Sequence, residues 1–221
     1  MKNLLMFSVI LIMTLQGCKD EDIYLNGYGD IVENNITVTS FEKVSLEGIV
    51  NLRITQGPEQ VVSIATTHLI FNHMEWTVKN QTLYVGFEDN VKFENGSNID
   101  IWVNITVPDI KAIASFGISK IVAEGELDLQ SLDLEINGIG EVALAGTVNQ
   151  QNITVDGTAT INNYNFLSTG TQIDVSGLAD IQVYCNETLD IHVGGDASIS
   201  YKGYPTITKT SSGSLHLFDG N

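Results

Sequence analysis

A nine-residue pattern recurs five times in the second half of the chain and constrains the fold more tightly than any other feature. Its copies run Ile113–Ile121, Leu134–Val142, Ile153–Ile161, Ile173–Ile181 and Ile191–Ile199, centred on Gly117, Gly138, Gly157, Gly177 and Gly195. Each copy carries an aliphatic four residues before the glycine and another four after it. A small residue sits two after: Ser119, Gly140, Ala159, Ala179 and Ala197. Successive glycines are 21, 19, 20 and 18 residues apart. A period near 20 suits a parallel β-helix, in which each coil holds a few short strands and equivalent residues stack at about 4.8 Å. The marked positions are an even number apart, so a continuous strand turns them all to one side, and the aliphatics make that side the interior. The glycine and small residue then mark a bend where the interior is too narrow for a large side chain. Each stacked Ile or Val contributes roughly 1.5–3 kcal/mol on burial, so such a coil needs no disulfide. The coiling is expected to be right-handed, as parallel crossovers nearly always are.

Residues 36–110 differ. They alternate with period two and lack the repeat. Ile99, Ile101, Val103, Ile105 and Val107 share one face of a strand, with Asp100, Trp102, Asn104 and Thr106 on the other, until Pro108 stops it. Val50, Leu52 and Ile54 form a second strand, and residues 74–88 read as a hairpin turning at Asn80-Gln81. Both ends of a solenoid need covers. Residues 36–110 either continue the stack or lie across one end, and Ser214–Phe218 suits the other. The fold class is therefore all-β: a right-handed parallel β-helix in the C-terminal half, with an additional strand region in the N-terminal half.

The N-terminus gives an address. Residues 1–17 have one charge, Lys2, before an apolar run from Leu4 to Leu15. That run is shorter than the ~20 residues of a spanning helix and suits a secretory signal. Leu15-Gln16-Gly17-Cys18 resembles the lipobox of bacterial lipoproteins, which implies cleavage before Cys18 and acylation of its thiol. Two or three acyl chains hold a protein at a membrane almost irreversibly, at about 0.8 kcal/mol per buried CH₂. Lys19-Asp20-Glu21-Asp22 resembles the acidic export signal that sends Bacteroidota lipoproteins to the outer face of the outer membrane. The expected organisation is a signal peptide over 1–17, an acylated cysteine and acidic tether over 18–35, and a single β domain over 36–221. The expected location is the outer membrane, lipid-anchored and facing the exterior. Cys185 has no partner left and is expected to be buried.

Without the signal, 9 basic residues face 27 acidic ones, a formal charge of −18, and Arg53 is the only arginine. A surface of that sign repels phosphates, so nucleic acid is excluded as a partner.

Over residues 36–217 the chain resembles the putative auto-transporter adhesin, head GIN domain family, which is common in Bacteroidota. The likeness is carried by Phe41-Glu-Lys-Val-Ser-Leu-Glu-Gly-Ile-Val, by the strand from Ile99 to Ile113, and by the Gly-centred repeats. Asn137-Gly138-Ile139-Gly140 matches the family's glycine-rich motif, and Phe116-Gly117-Ile118-Ser119 departs from it. The resemblance implies a β-helical fold and an envelope location. It brings no catalytic or binding residues with it.

Enzymes built on β-helices use clustered carboxylates. Aligning the repeats puts Glu135, Thr154, Asp174 and His192 in one outward column, and Glu141, Thr160, Asp180 and Ser198 in another. The carboxylates of either column lie about two coils, ~10 Å, apart. That exceeds the ~5–9.5 Å of glycosidase pairs and is too far for one calcium ion. No metal set, cofactor or catalytic group is indicated. The expected function is a non-catalytic surface binding or adhesion module for a glycan or a protein, with Tyr164, Phe166, Tyr184, Tyr201 and Tyr204 as candidate contacts. The alternatives are a carbohydrate-active β-helix enzyme, which rests on fold analogy, and a structural envelope protein without a soluble ligand.

Overall fold

The computed structural model describes residues 21–221. The expected signal peptide, and Cys18 with it, lie outside the described residues. The N-terminal region contains β1 (Ile23–Leu25), β2 (Ile31–Ile36), β3 (Lys43–Ile49), β4 (Asn51–Gln56), β5 (Val61–Thr67), the short helix α1 (His68–Phe71), β6 (Met74–Lys79), β7 (Thr82–Phe87), β8 (Val91–Phe93) and β9 (Trp102–Val107). The repeats supply β10 (Ala112–Ala123), β11 (Leu127–Ile136), β12 (Ile139–Ala143), β13 (Gly146–Val155), β14 (Thr158–Val175), β15 (Leu178–Val193) and β16 (Asp196–Lys202). Two further strands close the chain, β17 (Thr206–Ser211) and β18 (Ser214–Asp219). No helix among the described residues is long and apolar enough to cross a membrane.

Residues 112–219 form a β-solenoid of about five turns. Its neighbouring strands pair in parallel, and the repeat sets their register. Ile113 lies beside Leu134, and Ile153, Ile173 and Ile191 follow in the same column. Ile121, Val142, Ile161, Ile181, Ile199 and Leu217 form a second column. All are buried except Leu217, which is half-buried in the last coil. Between them runs the expected small column of Ser119, Gly140, Ala159, Ala179 and Ala197, also buried.

The glycines stack, for a reason different from the one expected. They are half-exposed, not inside the coil, and all but Gly117, which lies within β10, stand where strands break. A Cβ on Gly138 would sit 2.0 Å from the carbonyl oxygen of Gly117, and one on Gly157 equally close to that of Gly138. Each glycine is thus required by the backbone of the preceding coil. Steric room inside explains only the residue two positions later, where a Cβ on Gly140 would lie 2.9 Å from the Ile136 side chain. The glycine column also extends beyond the five repeats, to Gly48 before Gly117 and to Gly213 after Gly195.

Both roles open to the N-terminal strands are used. β3 pairs with β10 in parallel from Lys43 to Ile49, and β4 pairs with the end of β10, so residues 43–56 form one more coil. β7 and β9 add in parallel to β3 and β4. The direction then reverses. β6 pairs antiparallel with β7, β5 with β9, and β2 with β5. The expected hairpin turns at Asn80 and Gln81, whose φ angles of 51° and 60° suit a two-residue turn matched to strand twist.

Part of the stretch expected as a tether, over residues 18–35, is strand: Ile23–Leu25 and Ile31–Ile36. β1 pairs with β8, β2 pairs with β5, and Leu25 is fully buried in the core. The Asp-, Asn- and Gly-rich composition of this stretch masks two short apolar runs, Ile23-Tyr24-Leu25 and Ile31-Val32, that the domain edge takes up. Residues 214–218 are likewise the last rung of the stack, not a separate cover. In that rung Lys209 occupies the column position of Ile191, and Ser211 that of Val193. Lys209 is exposed, and a charge on an edge strand disfavours pairing of another strand there.

Candidate functional site

The aromatic residues expected to contact a ligand divide by burial. Phe166 is fully buried, which removes it as a contact. It lies where β14 and β15 shift register, between Asn163 and Leu167, and its ring fills the interior there. Tyr164, in the same irregularity, is a half-buried strap along the stack. Its hydroxyl donates to Ser200 Oγ two rungs away, at 2.6 Å, and Lys202 Nζ lies 4.4 Å from its ring centre. Tyr184 is half-buried in the row of Leu167 and Lys202, and Tyr201 packs against the core. Tyr204 alone of the five is broadly open to solvent, 89% exposed after Gly203. Cys185 is buried, its thiol 3.0 Å from the Thr188 carbonyl.

The two outward carboxylate columns form as aligned. Glu135 is followed by Thr154, Asp174 and His192, and Glu141 by Thr160, Asp180 and Ser198. A threonine hydroxyl therefore separates the carboxylates in each column. His192 Nδ1 comes within 3.6 Å of Asp174 Oδ1 on the exposed face. Another outward column is apolar: Ile118, Ile139 and Leu178 are each about half exposed, with Thr158 between the last two.

The densest group of unlike polar side chains stands on the outer face of β2, β5, β9 and β4. Strand register aligns Asn35, Ser63, Asn104 and Arg53 in one row. Arg53 Nε pairs with Glu124 Oε1 at 2.7 Å, its Nη1 donates to Asn104 Oδ1 at 3.0 Å, and its guanidinium lies 4.3 Å from the Trp102 ring centre. The Asn104 amide donates to Glu33 Oε1 at 3.0 Å, and the Ser63 hydroxyl donates to the same oxygen. These two hydrogen bonds hold the Glu33 carboxyl below the usual carboxylate range, with the Arg53 charge adding to them and slight desolvation opposing. The depression they line has a volume of about 520 Å³. A second depression, of about 490 Å³, lies on the β6–β7 hairpin and is lined by Trp76, Tyr84, Phe87, Glu47 and Glu75.

The family model described as putative auto-transporter adhesin, head GIN domain, matches residues 40–205, about three quarters of the chain. The protein belongs to that family. Among curated proteins none matches the chain. A crystal structure of a putative adhesin from Bacteroides fragilis is similar at 22% identity and a TM-score of 0.71, over 89% of this chain and 99% of that one. A putative lipid binding protein from Parabacteroides distasonis is similar at 16% identity and a TM-score of 0.54, over 90% of this chain and 100% of that one. At these identities the likenesses show the fold.

Within this head GIN domain the match spans both the repeats and most of the strands that carry Arg53, Ser63 and Asn104. Period-two alternation places Trp102 and Asn104 on an outer strand face, and Arg53 is conspicuous as the only arginine. What alternation does not reveal is which strand lies beside which. Arg53 and Asn104 are 51 residues apart, and Ser63 and Glu33 are 30. Arg53 meets Asn104 across the parallel β4–β9 pair, and Ser63 and Glu33 join them across the antiparallel pairs β5–β9 and β2–β5.

Proposed function

We propose that the protein is a non-catalytic binding or adhesion module of the cell surface, held to the outer membrane by acyl chains on Cys18 and taking a glycan or a protein as ligand. The observation that carries this reading is the combination of flat outer sheet faces, locked in register by the stack, with a preorganised polar cluster exposed at one end. Recognition groups held on rigid strands lose little entropy on binding. The family description speaks for adhesion. The exposed column of Ile118, Ile139 and Leu178 offers apolar contact to a protein partner, and the Arg53 cluster offers hydrogen bonds to a glycan. In both columns a hydroxyl stands between the carboxylates, which favours a solvated face over a paired acid and base.

The test has two arms. A glycan array and a surface-protein array, probed with residues 21–221 with and without calcium, are expected to return a reproducible ligand without turnover. Product release from a bound glycan, abolished by an Asp or Glu substitution, would replace the module with an enzyme. In cells, radiolabelled palmitate is expected to enter the wild-type protein and not a Cys18→Ala variant. Protease added to intact cells should digest the anchored protein, and protection of the labelled protein would refute exposure at the surface.

A further inference from the structure

We infer that the depression around Arg53 is a saccharide subsite that takes an uncharged sugar through its hydroxyl groups, a reading that rests on the binding-module proposal above. Four observations lead there. The volume of about 520 Å³ lies within the ~300–1,000 Å³ usual for small-molecule sites. Its wall sets groups that only accept, the carboxylates of Glu33 and Glu124, beside the Arg53 guanidinium, which only donates, and the hydroxyls of Thr55 and Thr106, which do both. A sugar hydroxyl donates and accepts at once, so neighbouring hydroxyls are matched by a carboxylate beside a guanidinium or a threonine hydroxyl.

Preorganisation is the third observation. Arg53 is held on three sides, by Glu124, by Asn104 and by the Trp102 ring, and among the described residues only its Nε and Nη1 are engaged. Its remaining N–H groups are free to meet a ligand without first ordering the side chain. Asn104 is fixed in turn, its oxygen accepting from Arg53 and its nitrogen donating to Glu33 and to the Ser63 hydroxyl. The fourth is charge. Two carboxylates face one guanidinium, in a chain of formal charge −17. An anionic sugar entering here meets net repulsion, whereas a neutral one keeps every hydrogen bond without that cost.

The experiment uses the domain with Trp76→Phe, which leaves Trp102 as the sole tryptophan, in contact with Arg53. It is titrated with neutral manno-, galacto- and gluco-configured oligosaccharides and with oligogalacturonate as the acidic probe. One neutral series is expected to bind and to shift Trp102 emission. Arg53→Met, which keeps the aliphatic stem on the ring, and Asn104→Ala are each expected to weaken that binding at least tenfold with the thermal midpoint little changed. Glu33→Gln is the third variant and should weaken it as well, should either of the others unfold. The subsite is overturned if a neutral sugar binds equally well to all three folded variants, while the module reading survives with its ligand elsewhere. It is also overturned if oligogalacturonate is preferred or if no neutral sugar binds. Loss of every array ligand, protein included, would remove the module reading too.

Discussion

The repeat coils and the N-terminal strands use the same sheet hydrogen bonds and arrive at opposite surfaces. In the coils, the neighbours of a residue are its own equivalents one period away, as in Ile153 between Leu134 and Ile173. Inside, like stacks on like, and the outside becomes columns such as Glu135, Thr154, Asp174 and His192, spaced at about 4.8 Å, where side chains meet only a neighbour one rung away, as His192 meets Asp174. At the N-terminal end the neighbours are unrelated in sequence. There Arg53, Asn104, Ser63 and Glu33 meet as unlike groups in one place. Regular stacking makes a stand with long faces. Breaking the regularity, by pairing strands of unrelated sequence, some parallel and some antiparallel, is what gathers different chemistries at one point.

The largest expected effect tests whether the glycine column belongs to the stack or only to the corner. Gly157→Val places a Cβ 2.0 Å from the Gly138 carbonyl oxygen, which forces two coils apart and should cost about 4 kcal/mol or more in urea unfolding. Gly125→Ala is the comparison. It lies in a turn with φ +90° and nothing within 4 Å, so it should cost only the roughly 1–2 kcal/mol of a left-handed backbone. Equal losses would mean that the coils slide to accept the side chain and that the corner alone sets the requirement.

The second test lies inside the coils, where one residue breaks the rule of like on like. Gln151 is completely buried in the column of Leu132 and Thr171, and neither its amide nitrogen nor its oxygen has a hydrogen-bond partner among the described residues. Burying such a group unpaired costs about 1–3 kcal/mol. Gln151→Leu, of similar size, is expected to raise stability by roughly 1 kcal/mol, seen as a higher urea midpoint at unchanged slope. A lower midpoint would show that the amide is satisfied and that polar rungs are part of the coil's design.

The same contrast explains what could be read before the structure was known. Five copies of one pattern are enough to set the columns of the coils, because periodicity itself names the neighbours: Ala159 lies beside Ala179, and Ile161 beside Ile181. Gly213 escaped because its rung trades apolar inward residues for Lys209 and Ser211. The sequence does not show Phe166 to be interior, because the irregularity at 163–167 interrupts the period that tells inside from outside. In residues 23–107 alternation gives each strand its faces and, outside the 74–88 hairpin, says nothing of pairing. Trp102, Asn104 and Arg53 were therefore visible singly and not as a cluster, and the β1 and β2 strands were hidden by polar composition.

The smallest expected effect asks whether the N-terminal cluster is held by its own hydrogen bonds. Glu33 has its carboxyl lowered from an ordinary value of 4.5, first by the Ser63 hydroxyl and then by the Asn104 amide, so folding favours its charged form. The stabilisation is complete above the ordinary value and is lost as pH falls through the lowered one. Thermal midpoints of wild type and Glu33→Gln should therefore differ near neutral pH and converge in acid, where the carboxyl is protonated in both states. The gap should be small, because Glu33 is largely open to solvent and water screens what it gains. A gap that stays constant into acid would trace the stability to the shape of the side chain, and Arg53 and Asn104 would then keep their places without the carboxylate.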